Sequence, residues 1–239
     1  MTIDDYNIII DFGQDFARQL IENKIEKIDY AFLTHAHDDH CSGFSQFSVA
    51  ENCIIESPRD VWKRLGARVS WLRRRNKNVE LRDFTPKVIN GVHIDTIKLV
   101  HQKDYKRQGK ADPCYGYILH SDNFTFAYCT DFNDILEPEK LEKLDLLISD
   151  GNGWDNDGKG HVGINGSLRI FERFKPKRML LTHIPHRIEH TQLLEYLEKY
   201  RNVEPAYDGL EINVIDYKLN ASVSRCSSFS SKNKHKSRN

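Results

Sequence analysis

The sequence lacks the features that mark membrane or secreted proteins. No run approaches the roughly 18 to 20 uninterrupted apolar residues that a membrane-spanning helix requires. The first ten residues, MTIDDYNIII, are acidic ahead of their apolar run, whereas a secretory signal would be basic there. Basic and acidic side chains number 35 each, so the overall charge favours neither nucleic acid nor a membrane surface. These absences predict a cytoplasmic protein without a membrane partner.

Cysteines are few and do not occur in metal-binding or disulfide patterns. The chain has five, an odd number, and no CxxC pair joins any of them. A disulfide framework or a zinc ribbon would require paired spacings. We therefore predict reduced thiols, as expected in a cytoplasmic protein, at Cys41, Cys53, Cys114, Cys129 and Cys226.

Length and patterning predict one α/β domain with mixed sheets. The 239 residues, 39% of them hydrophobic, suffice for a single substantial core. Short apolar runs alternate with amphipathic stretches, which is the rhythm of packed layers. Residues 1–218 form the predicted domain, and the polar, basic residues 219–239 form a predicted disordered tail. Strands are predicted at 6–12, 28–35, 52–57, 92–101, 114–120, 124–131, 144–150, 178–183 and 210–216, and helices at 14–24, 40–47, 58–68, 136–144, 163–174 and 189–201.

Five of these apolar strands finish in a side chain that can bind a metal. The strands deliver three histidines and two aspartates, at positions far apart in the chain. Sites in layered α/β domains assemble at strand ends, where rigid elements bring distant side chains together. One such residue alone would be an ordinary polar end of a strand. The coincidence of five predicts a common site at His35, His101, Asp131, Asp150 and His183.

The stretch THAHDDH, residues 34–40, supplies the densest part of this pattern. Residues two apart in extended chain point to the same side, so His35 and His37 can bind one ion together. Asp39 and His40 fall where the chain turns into a helix, and they can face a second ion. Imidazole and carboxylate ligands without thiolates suit Zn²⁺, Mn²⁺ or Fe²⁺. The nitrogen and oxygen ligands suffice, so Cys41 is not predicted to be one.

At this point the sequence resembles the metallo-β-lactamase fold hydrolases. THAHDDH matches their HxHxDH signature. The remaining signatures follow in order: IIIDFG with Asp11, LVH with His101, CTD with Asp131, and LLTH with His183. The resemblance spans nearly residues 5–215. It implies a four-layer αββα sandwich and a metal-dependent hydrolase.

The resemblance also implies a set of metal ligands. It places a first ion, zinc by preference, on His35, His37 and His101, and a second on Asp39, His40 and His183. Asp131 would bridge the two ions together with a hydroxide. Asp11 matches a structural aspartate of the family that supports the metal loop, so it is not counted as a ligand.

Within the fold, the sequence is most similar to the phosphodiesterase branch. The segment GHVGINGSLRIFERFKPKRMLLTHIPHR resembles tRNA 3′-end processing endonucleases and the accessory phosphodiesterase of the carbon–phosphorus lyase pathway, where a histidine in the place of His161 opens a helix. Phage enzymes that destroy cyclic-nucleotide signals belong to the same broad group. The implied substrate is a phosphodiester, such as a cyclic nucleotide or another small nucleotide-like diester.

The chain departs from the family in three respects. It has fewer residues before the IIIDFG segment than the family, so an edge of the first sheet is expected to be missing, truncated or completed by a partner in a homodimer. The cysteine-rich zinc site of the accessory phosphodiesterases is absent. The 29 residues between His101 and Asp131 leave little room for the long arm with which tRNA-processing enzymes hold tRNA.

The implied reaction is hydrolysis by in-line attack of the bridging hydroxide on phosphorus. Two ions about 3.5 to 4 Å apart hold that hydroxide near neutral pH. Asp39 and Asp131 would accept hydrogen bonds from the nucleophile. The leaving alkoxide needs a proton, and His161 is the candidate general acid. Asp150 and His186 are candidates for orienting a ligand from behind.

Two basic runs add a possible contact for phosphate. Residues 63–77 carry seven lysines and arginines around Trp62 and Trp71. This run is predicted to be a solvated helix face whose tryptophans pack on the core. A second run directly follows His101 and is predicted to attract the phosphate of the substrate, through Lys103, Lys106, Arg107 and Lys110.

Four other functions compete with this prediction. An RNA-processing endonuclease of the same fold conflicts with the short His101–Asp131 interval. A thioester or lactone hydrolase shares the HxHxDH core but needs neither His161 nor the basic run. A diiron oxidoreductase of this fold usually carries an acidic residue where this chain has His37. A catalytically inactive binding module would not require the complete ligand set.

Overall fold

The computed structural model describes residues 1–49, 52–75, 79–104, 110–156 and 160–214. The chain divides into two units, Met1–Asp208 and Gly209–Asn239. Only residues 209–214 of the second unit are described, so the predicted boundary at 218 and the predicted tail lie outside the described residues. The strand predicted at 210–216 is wrong over its described part, because residues 210–214 form no strand.

The first sheet has five strands and is mainly parallel. Strands β2 to β5 run parallel to one another, and β1 pairs antiparallel with β2 at the edge. The predictions missed β1 and β5, since both are short or strongly charged. In spatial order the strands are β1 (Thr2–Ile3), β2 (Tyr6–Ile10), β3 (Tyr30–Phe32), β4 (Cys53–Ser57) and β5 (Val79–Asp83).

The second sheet has eight strands among the described residues and mixes both directions. Its order is β10-β7-β8-β9-β11-β12-β13, with β6 also paired to β7. The pairs among β6 to β10 are antiparallel, whereas β9, β11, β12 and β13 run parallel. The predicted mixed sheets are thus confirmed. The strands are β6 (Lys87–Ile89), β7 (Val92–Asp104), β8 (Lys110–His120), β9 (Thr125–Cys129), β10 (Asp134–Ile135), β11 (Leu146–Asp150), β12 (Arg178–Thr182) and β13 (Val203–Pro205).

The helices follow the predictions with three corrections. The helix predicted at 58–68 is divided at Gly66, whose φ of 54° breaks the helical conformation. The helix predicted at 136–144 is only a short 3₁₀ turn, Pro138–Leu141, and Ser42–Val49 is also 3₁₀. No described helix is long and apolar enough to cross a membrane. The α-helices are α1 (Phe16–Glu22), α2 (Asp38–Cys41), α3 (Arg59–Leu65), α4 (Ala67–Arg75), α5 (Gly163–Phe174) and α6 (His190–Leu197).

Alternation along the strands builds four layers from this set of elements. Successive side chains of a strand point to opposite faces of its sheet. In β3, Phe32 joins an apolar cluster with Ile94 and Tyr117 of the second sheet, while Ala31 joins a cluster that includes helical residues of α1 and α3. In β7, Ile97 packs instead with residues of α5 and α6. The sheets therefore face each other with helices outside, which confirms the αββα sandwich.

The parallel strands bring the predicted site residues to one edge of the second sheet. Strand β11 pairs in parallel with β9 on one side and with β12 on the other. Asp131 follows β9 by two residues, Asp150 ends β11, and His183 comes directly after β12. The carboxyl ends of parallel strands meet at the same edge, so three residues from distant parts of the chain become neighbours.

Candidate metal centre

Three of the site residues lie where the backbone takes an uncommon conformation. Asp11, Asp131 and His183 have φ values of 60°, 57° and 58°, in the left-handed region that non-glycine residues rarely adopt. Each comes just after a strand and turns the chain abruptly at the edge of a sheet. Such conformations cost roughly 1–3 kcal/mol and persist where the surrounding structure imposes them. Here the turn aims each side chain at the site.

A first group of potential ligand atoms comes from four side chains whose atoms lie within 4.8 Å of one another: His35, His37, His101 and Asp131. Nδ1 of His37 lies 3.0 Å from Nε2 of His101. Oδ2 of Asp131 lies 3.8 Å from Nε2 of His35 and 4.0 Å from Nε2 of His101. His101 is not at the end of its strand as predicted but within β7, where the pairing with β8 is irregular between Val100 and Lys103. Such irregularities re-aim side chains.

A second group shares Asp131 with the first and consists of Asp39, His40, Asp131 and His183. Oδ1 of Asp131 lies 3.4 Å from Nε2 of His40 and 3.4 Å from Nδ1 of His183. Oδ2 of Asp39 lies 3.7 Å from Nε2 of each of the two histidines. The two oxygens of the Asp131 carboxylate thus face different groups. This arrangement is the one predicted for a residue that bridges two ions.

Asp150 and His161 extend the second group. Nδ1 of His161 lies 3.0 Å from Oδ2 of Asp150, and Oδ1 of Asp150 lies 3.4 Å from Nδ1 of His183. Asp131, Asp150, His161 and His183 also place ligand atoms within 4.8 Å of one another. This set shares Asp131 and His183 with the second group. Asp150 was predicted to orient a ligand, and its carboxylate also belongs to a group of potential metal ligands.

The remaining ring nitrogens are held by neighbours that fix the imidazole planes. Nδ1 of His40 lies 2.7 Å from Asp11, which also accepts hydrogen bonds from the amide and hydroxyl of Thr34. Nδ1 of His101 donates to the carbonyl of Gly160 at 2.9 Å, so its Nε2 carries the lone pair. A Cβ at Gly160 would lie 2.7 Å from Cε1 of His101, so glycine permits this close approach. Orienting bonds of this kind are typical behind metal-binding histidines.

Burial and the clustered charges displace several pKa values. Burial lowers the pKa of His40, but the carboxylates of Asp11 and Asp131 outweigh it and raise the pKa to about 11. For His183 burial acts in the same direction, and the nearby carboxylates of Asp150 and Asp39 outweigh it and raise the pKa to about 10. Burial and the neighbouring histidines lower the pKa of His35 well below its usual value. The first group thus offers a neutral imidazole, whereas the second holds protons that compete with a metal.

The chemistry of the site fits divalent metal ions. Seven buried side-chain atoms have no hydrogen-bond partner within the part of the chain described, and three of them belong to the ligand groups: Nε2 of His35, Oδ1 of Asp131 and Nδ1 of His183. Leaving such atoms unsatisfied costs roughly 1–3 kcal/mol each. All three point into the ligand groups, where a cation would satisfy them. Cys41 belongs to none of these groups.

A cleft of about 480 Å³ opens beside the ligand groups. Its lining includes His37 and Asp39 of the ligand groups, together with Arg64 of helix α3 and Arg68 of helix α4. Both arginines are exposed, in agreement with the solvated helix face predicted for the first basic run. Trp62 packs against the core as predicted, and its indole donates to the carbonyl of Arg82 at 2.9 Å.

Several predicted residues are not brought into the site. His186 is exposed, and neither ligand group includes it. Lys106 and Arg107 lie outside the described residues, and so does the side chain of Lys103. Conversely, the sequence interpretation missed Thr34, Gly160 and Asp112, which contact the histidines from behind. An acidic residue among mostly apolar neighbours in β8 is the signal by which the sequence could have indicated Asp112.

Comparison with known proteins identifies the family. A family model described as the beta-lactamase superfamily domain matches residues 6–184, and the chain belongs to this family. It is 25% identical over 232 residues to an octanoyltransferase of Porphyromonas gingivalis, covering 88% of this chain but only 43% of that protein. It is also 25% identical to "Probable metallo-hydrolase YhfI" of Bacillus subtilis, over 76% of this chain and 77% of that protein.

Solved structures share the fold at lower sequence identity. A diphosphatase from the PhnP family is 23% identical with a TM-score of 0.75, over 89% of this chain and 81% of that one. The short form of human tRNase Z (ELAC1) is 15% identical with a TM-score of 0.67, over 90% of both chains. The predicted fold and a metal-dependent hydrolase of this superfamily are confirmed. The ligand roles and the homodimer stay predictions.

Proposed function

We propose that this protein is a two-metal phosphodiesterase that acts on a small, nucleotide-like diester. One observation carries the proposal: two groups of metal-binding side chains meet at Asp131, and each oxygen of its carboxylate faces a different group. A single structural ion would need only one group. A shared carboxylate is the arrangement that holds two ions close together.

In this proposal the first ion is held by His35, His37 and His101 and the second by Asp39, His40 and His183, with Asp131 between them. When bound, the two ions lower the pKa of a water molecule and neutralise charge on the phosphate oxygens. Nitrogen and oxygen ligands without thiolate are compatible with Zn²⁺, and also with Mn²⁺ or Fe²⁺. Zn²⁺ is our first choice because histidines predominate.

The chain's own carboxylates position the attacking water. The side chain of Asp39 is 60% exposed and lines the cleft, while that of Asp131 is 2% exposed and lies behind it. Both accept hydrogen bonds from the water, so its lone pair is directed into the cleft. Arg64 and Arg68 line the same cleft, and each is paired with a carboxylate, Arg64 with Asp112 and Arg68 with Asp38.

His161 transfers the proton to the leaving alkoxide. Its Nδ1 is held by Asp150, so proton transfer runs through Nε2. Burial lowers the pKa of His161, but the Asp150 carboxylate outweighs burial and raises the pKa above its usual value in the metal-free protein. The imidazole ring lies 5.0 Å from that of His183 and 5.4 Å from that of His101, centroid to centroid. A general acid in this position would contribute roughly 10²- to 10⁴-fold to the rate.

The connection between His101 and Asp131 favours a small substrate over tRNA. Strands β7, β8 and β9 occupy nearly all of it, and only residues 105–109 separate the first two. No long arm for holding tRNA fits in that interval. The phosphodiester class itself rests on the likeness to a diphosphatase and to tRNase Z, which share the fold with this chain.

Hydrolysis of a thioester or lactone, the thioester above all, is the second candidate. It is favoured by the similarity to the octanoyltransferase, of which this chain spans 43%. An acyl substrate would use the same ligand groups. It would have less need of the Asp150–His161 pair, because a thiolate leaves without a proton.

A parallel substrate assay decides between the candidates. The purified protein is loaded with Zn²⁺ or Mn²⁺ and its metal content is measured. It is then assayed with bis(p-nitrophenyl) phosphate, with 2′,3′- and 3′,5′-cyclic nucleotides, with a short RNA and with an octanoyl thioester. We expect about two ions per chain and turnover of a phosphodiester. Cleavage of the thioester without any phosphodiester would make the proposal wrong.

A further inference from the structure

Four other histidines show how this site holds the ring nitrogen that is turned away from the ligand group. In each, Nδ1 contacts a fixed oxygen at 2.7 to 3.0 Å. The pairs are His35 with Thr34, His40 with Asp11, His101 with Gly160 and His161 with Asp150. Such contacts hold the ring plane and the tautomer of a metal ligand.

His37 presents the opposite nitrogen. Its Nδ1 faces into the first group, 3.0 Å from Nε2 of His101, so Nε2 is the nitrogen turned outward. Oδ2 of Asp112 lies 3.8 Å from that Nε2. This distance exceeds a hydrogen bond by about 1 Å. The His37 side chain is 30% exposed, the largest fraction in the first group, so it has the greatest need of an anchor.

Asp112 is an unusual residue for its position. Its side chain is 7% exposed and it lies in strand β8, directly before Pro113. A carboxylate buried there is costly unless a cation compensates it. Arg64 does so from helix α3, with Nε 2.9 Å from Oδ1 and a second guanidinium nitrogen 3.5 Å from Oδ2. Arg64 thus forms an ion pair at Oδ1 and a long hydrogen bond to Oδ2, and Oδ2 is the oxygen nearest His37.

We propose that Asp112, held by Arg64, is the positioning residue for His37 as a metal ligand. Its negative charge beside Nε2 of His37 favours the tautomer with the proton on Nε2, so that the lone pair of Nδ1 is directed into the first group. The inference rests on the metal sites of the proposed function and adds a residue that those sites need. It assigns no contact between Asp112 and substrate.

A purely structural role is the competing explanation, and the chain contains a control for it. The Arg64–Asp112 pair joins α3 to β8, but so does a hydrogen bond of 2.8 Å from the hydroxyl of Tyr115 to Asp60. Tyr115→Phe removes this second link without touching His37. Asp112→Asn and Tyr115→Phe are both expected to lower the melting temperature. Only Asp112→Asn is expected to change metal binding.

The experiment measures Zn²⁺ affinity on the metal-free full chain by competition with a chromophoric chelator. We expect Asp112→Asn to weaken the binding of one of the two ions on the order of 10- to 100-fold and to leave the affinity for the other unchanged. Tyr115→Phe should bind both ions as the wild type does. In a His37→Ala background, adding Asp112→Asn should cause no further loss, since coupled residues are not additive.

Unchanged affinity in Asp112→Asn, or equal further loss in the His37→Ala background, overturns the proposal. If Asp112→Asn does not fold, Arg64→Lys replaces it, because lysine keeps the positive charge but has a single nitrogen and cannot contact both oxygens of Asp112 as the guanidinium does. Weakening of the same single ion then supports the proposal and unchanged affinity overturns it. A wild-type protein that binds no pair of ions refutes the metal sites themselves. Binding without phosphodiester cleavage refutes only the proposed reaction.

Discussion

Oδ1 of Asp131 lies 3.4 Å from Nε2 of His40, while the other oxygen of the same carboxylate faces His35 at 3.8 Å. One residue thus belongs to both ligand groups. The two histidines that it contacts, His35 and His40, lie on either side of the point where helix α2 begins. A substitution here is expected to affect the two groups together.

Asp131→Ala is predicted to abolish binding of both ions and all hydrolytic activity, because both groups lose their shared oxygen ligands. Metal content after gel filtration and turnover of the best substrate check this. Asp122→Ala, at an exposed position in a turn, is the matched control and should keep both properties. Retention of one tightly bound ion would show that Asp131 does not bridge.

His161→Ala is predicted to retain the full metal content and to lower kcat on the order of 10²- to 10⁴-fold, as for loss of a general acid. A substrate with a good leaving group, such as p-nitrophenolate, should lose less activity than one with an alkoxide leaving group. The loss of one ion in this variant would instead identify His161 as a ligand, within the alternative group that includes Asp150.

Gly160→Ala is predicted to weaken the binding of the first ion. The added Cβ would lie 2.7 Å from Cε1 and 2.9 Å from Nδ1 of His101, so the ring must move. Gly91→Ala is a suitable control, since nothing lies within 4 Å of its Cβ position and any effect there comes from the positive φ alone. Zn²⁺ affinity should fall in the first variant and not in the second.

Removal of metal with a chelator is predicted to lower the melting temperature. Buried atoms of His35, Asp131 and His183 lack hydrogen-bond partners among the described residues, so an ion satisfies them only in the folded state. At a hundredfold excess of metal over Kd the stabilisation is about 2.7 kcal/mol. Calorimetry with and without Zn²⁺ measures it. Identical melting temperatures would contradict the metal sites.

The buried thiols predict a loss of stability at alkaline pH. Burial raises the pKa of Cys53 and of Cys129 to about 12 each. The folded state therefore holds these protons more tightly than the unfolded state, whose thiols titrate near about 8.5. Their contribution is fully present below that pH and is lost as the pH rises toward 12.

Urea unfolding between pH 7 and pH 11 checks the thiol prediction. In Cys53→Ala the free energy of unfolding should decrease less between pH 7 and pH 11, although the lost side chain also lowers stability at every pH. Iodoacetamide at pH 8 should leave the native peptides with Cys53 and Cys129 unmodified until the protein is denatured. Rapid native alkylation of either thiol would contradict its burial.

Much of the fold could be predicted because its core strands are short, apolar and bounded by turns. The helix at 163–174 was predicted to the residue, since its apolar face recurs at helical spacing. Errors fell where local pattern and tertiary context disagree. Residues 210–214 read as a strand but form none, and β5, with its charged sequence VELRD, became a strand only by pairing with β4.

The sequence by itself determined the chemical class of the site. The residue type decides which ligand atoms a side chain can offer. Histidine and aspartate at the ends of apolar strands, together with the stretch THAHDDH, therefore indicated the types of ligand and the family. Only the tertiary structure decided which atoms face each other. The orientation of Asp131 between two groups, the seat of Asp150 against His161, and Asp112 and Arg64 behind His37 all depend on strand pairing and on helix packing. These contacts join residues far apart in sequence, and no local spacing encodes them.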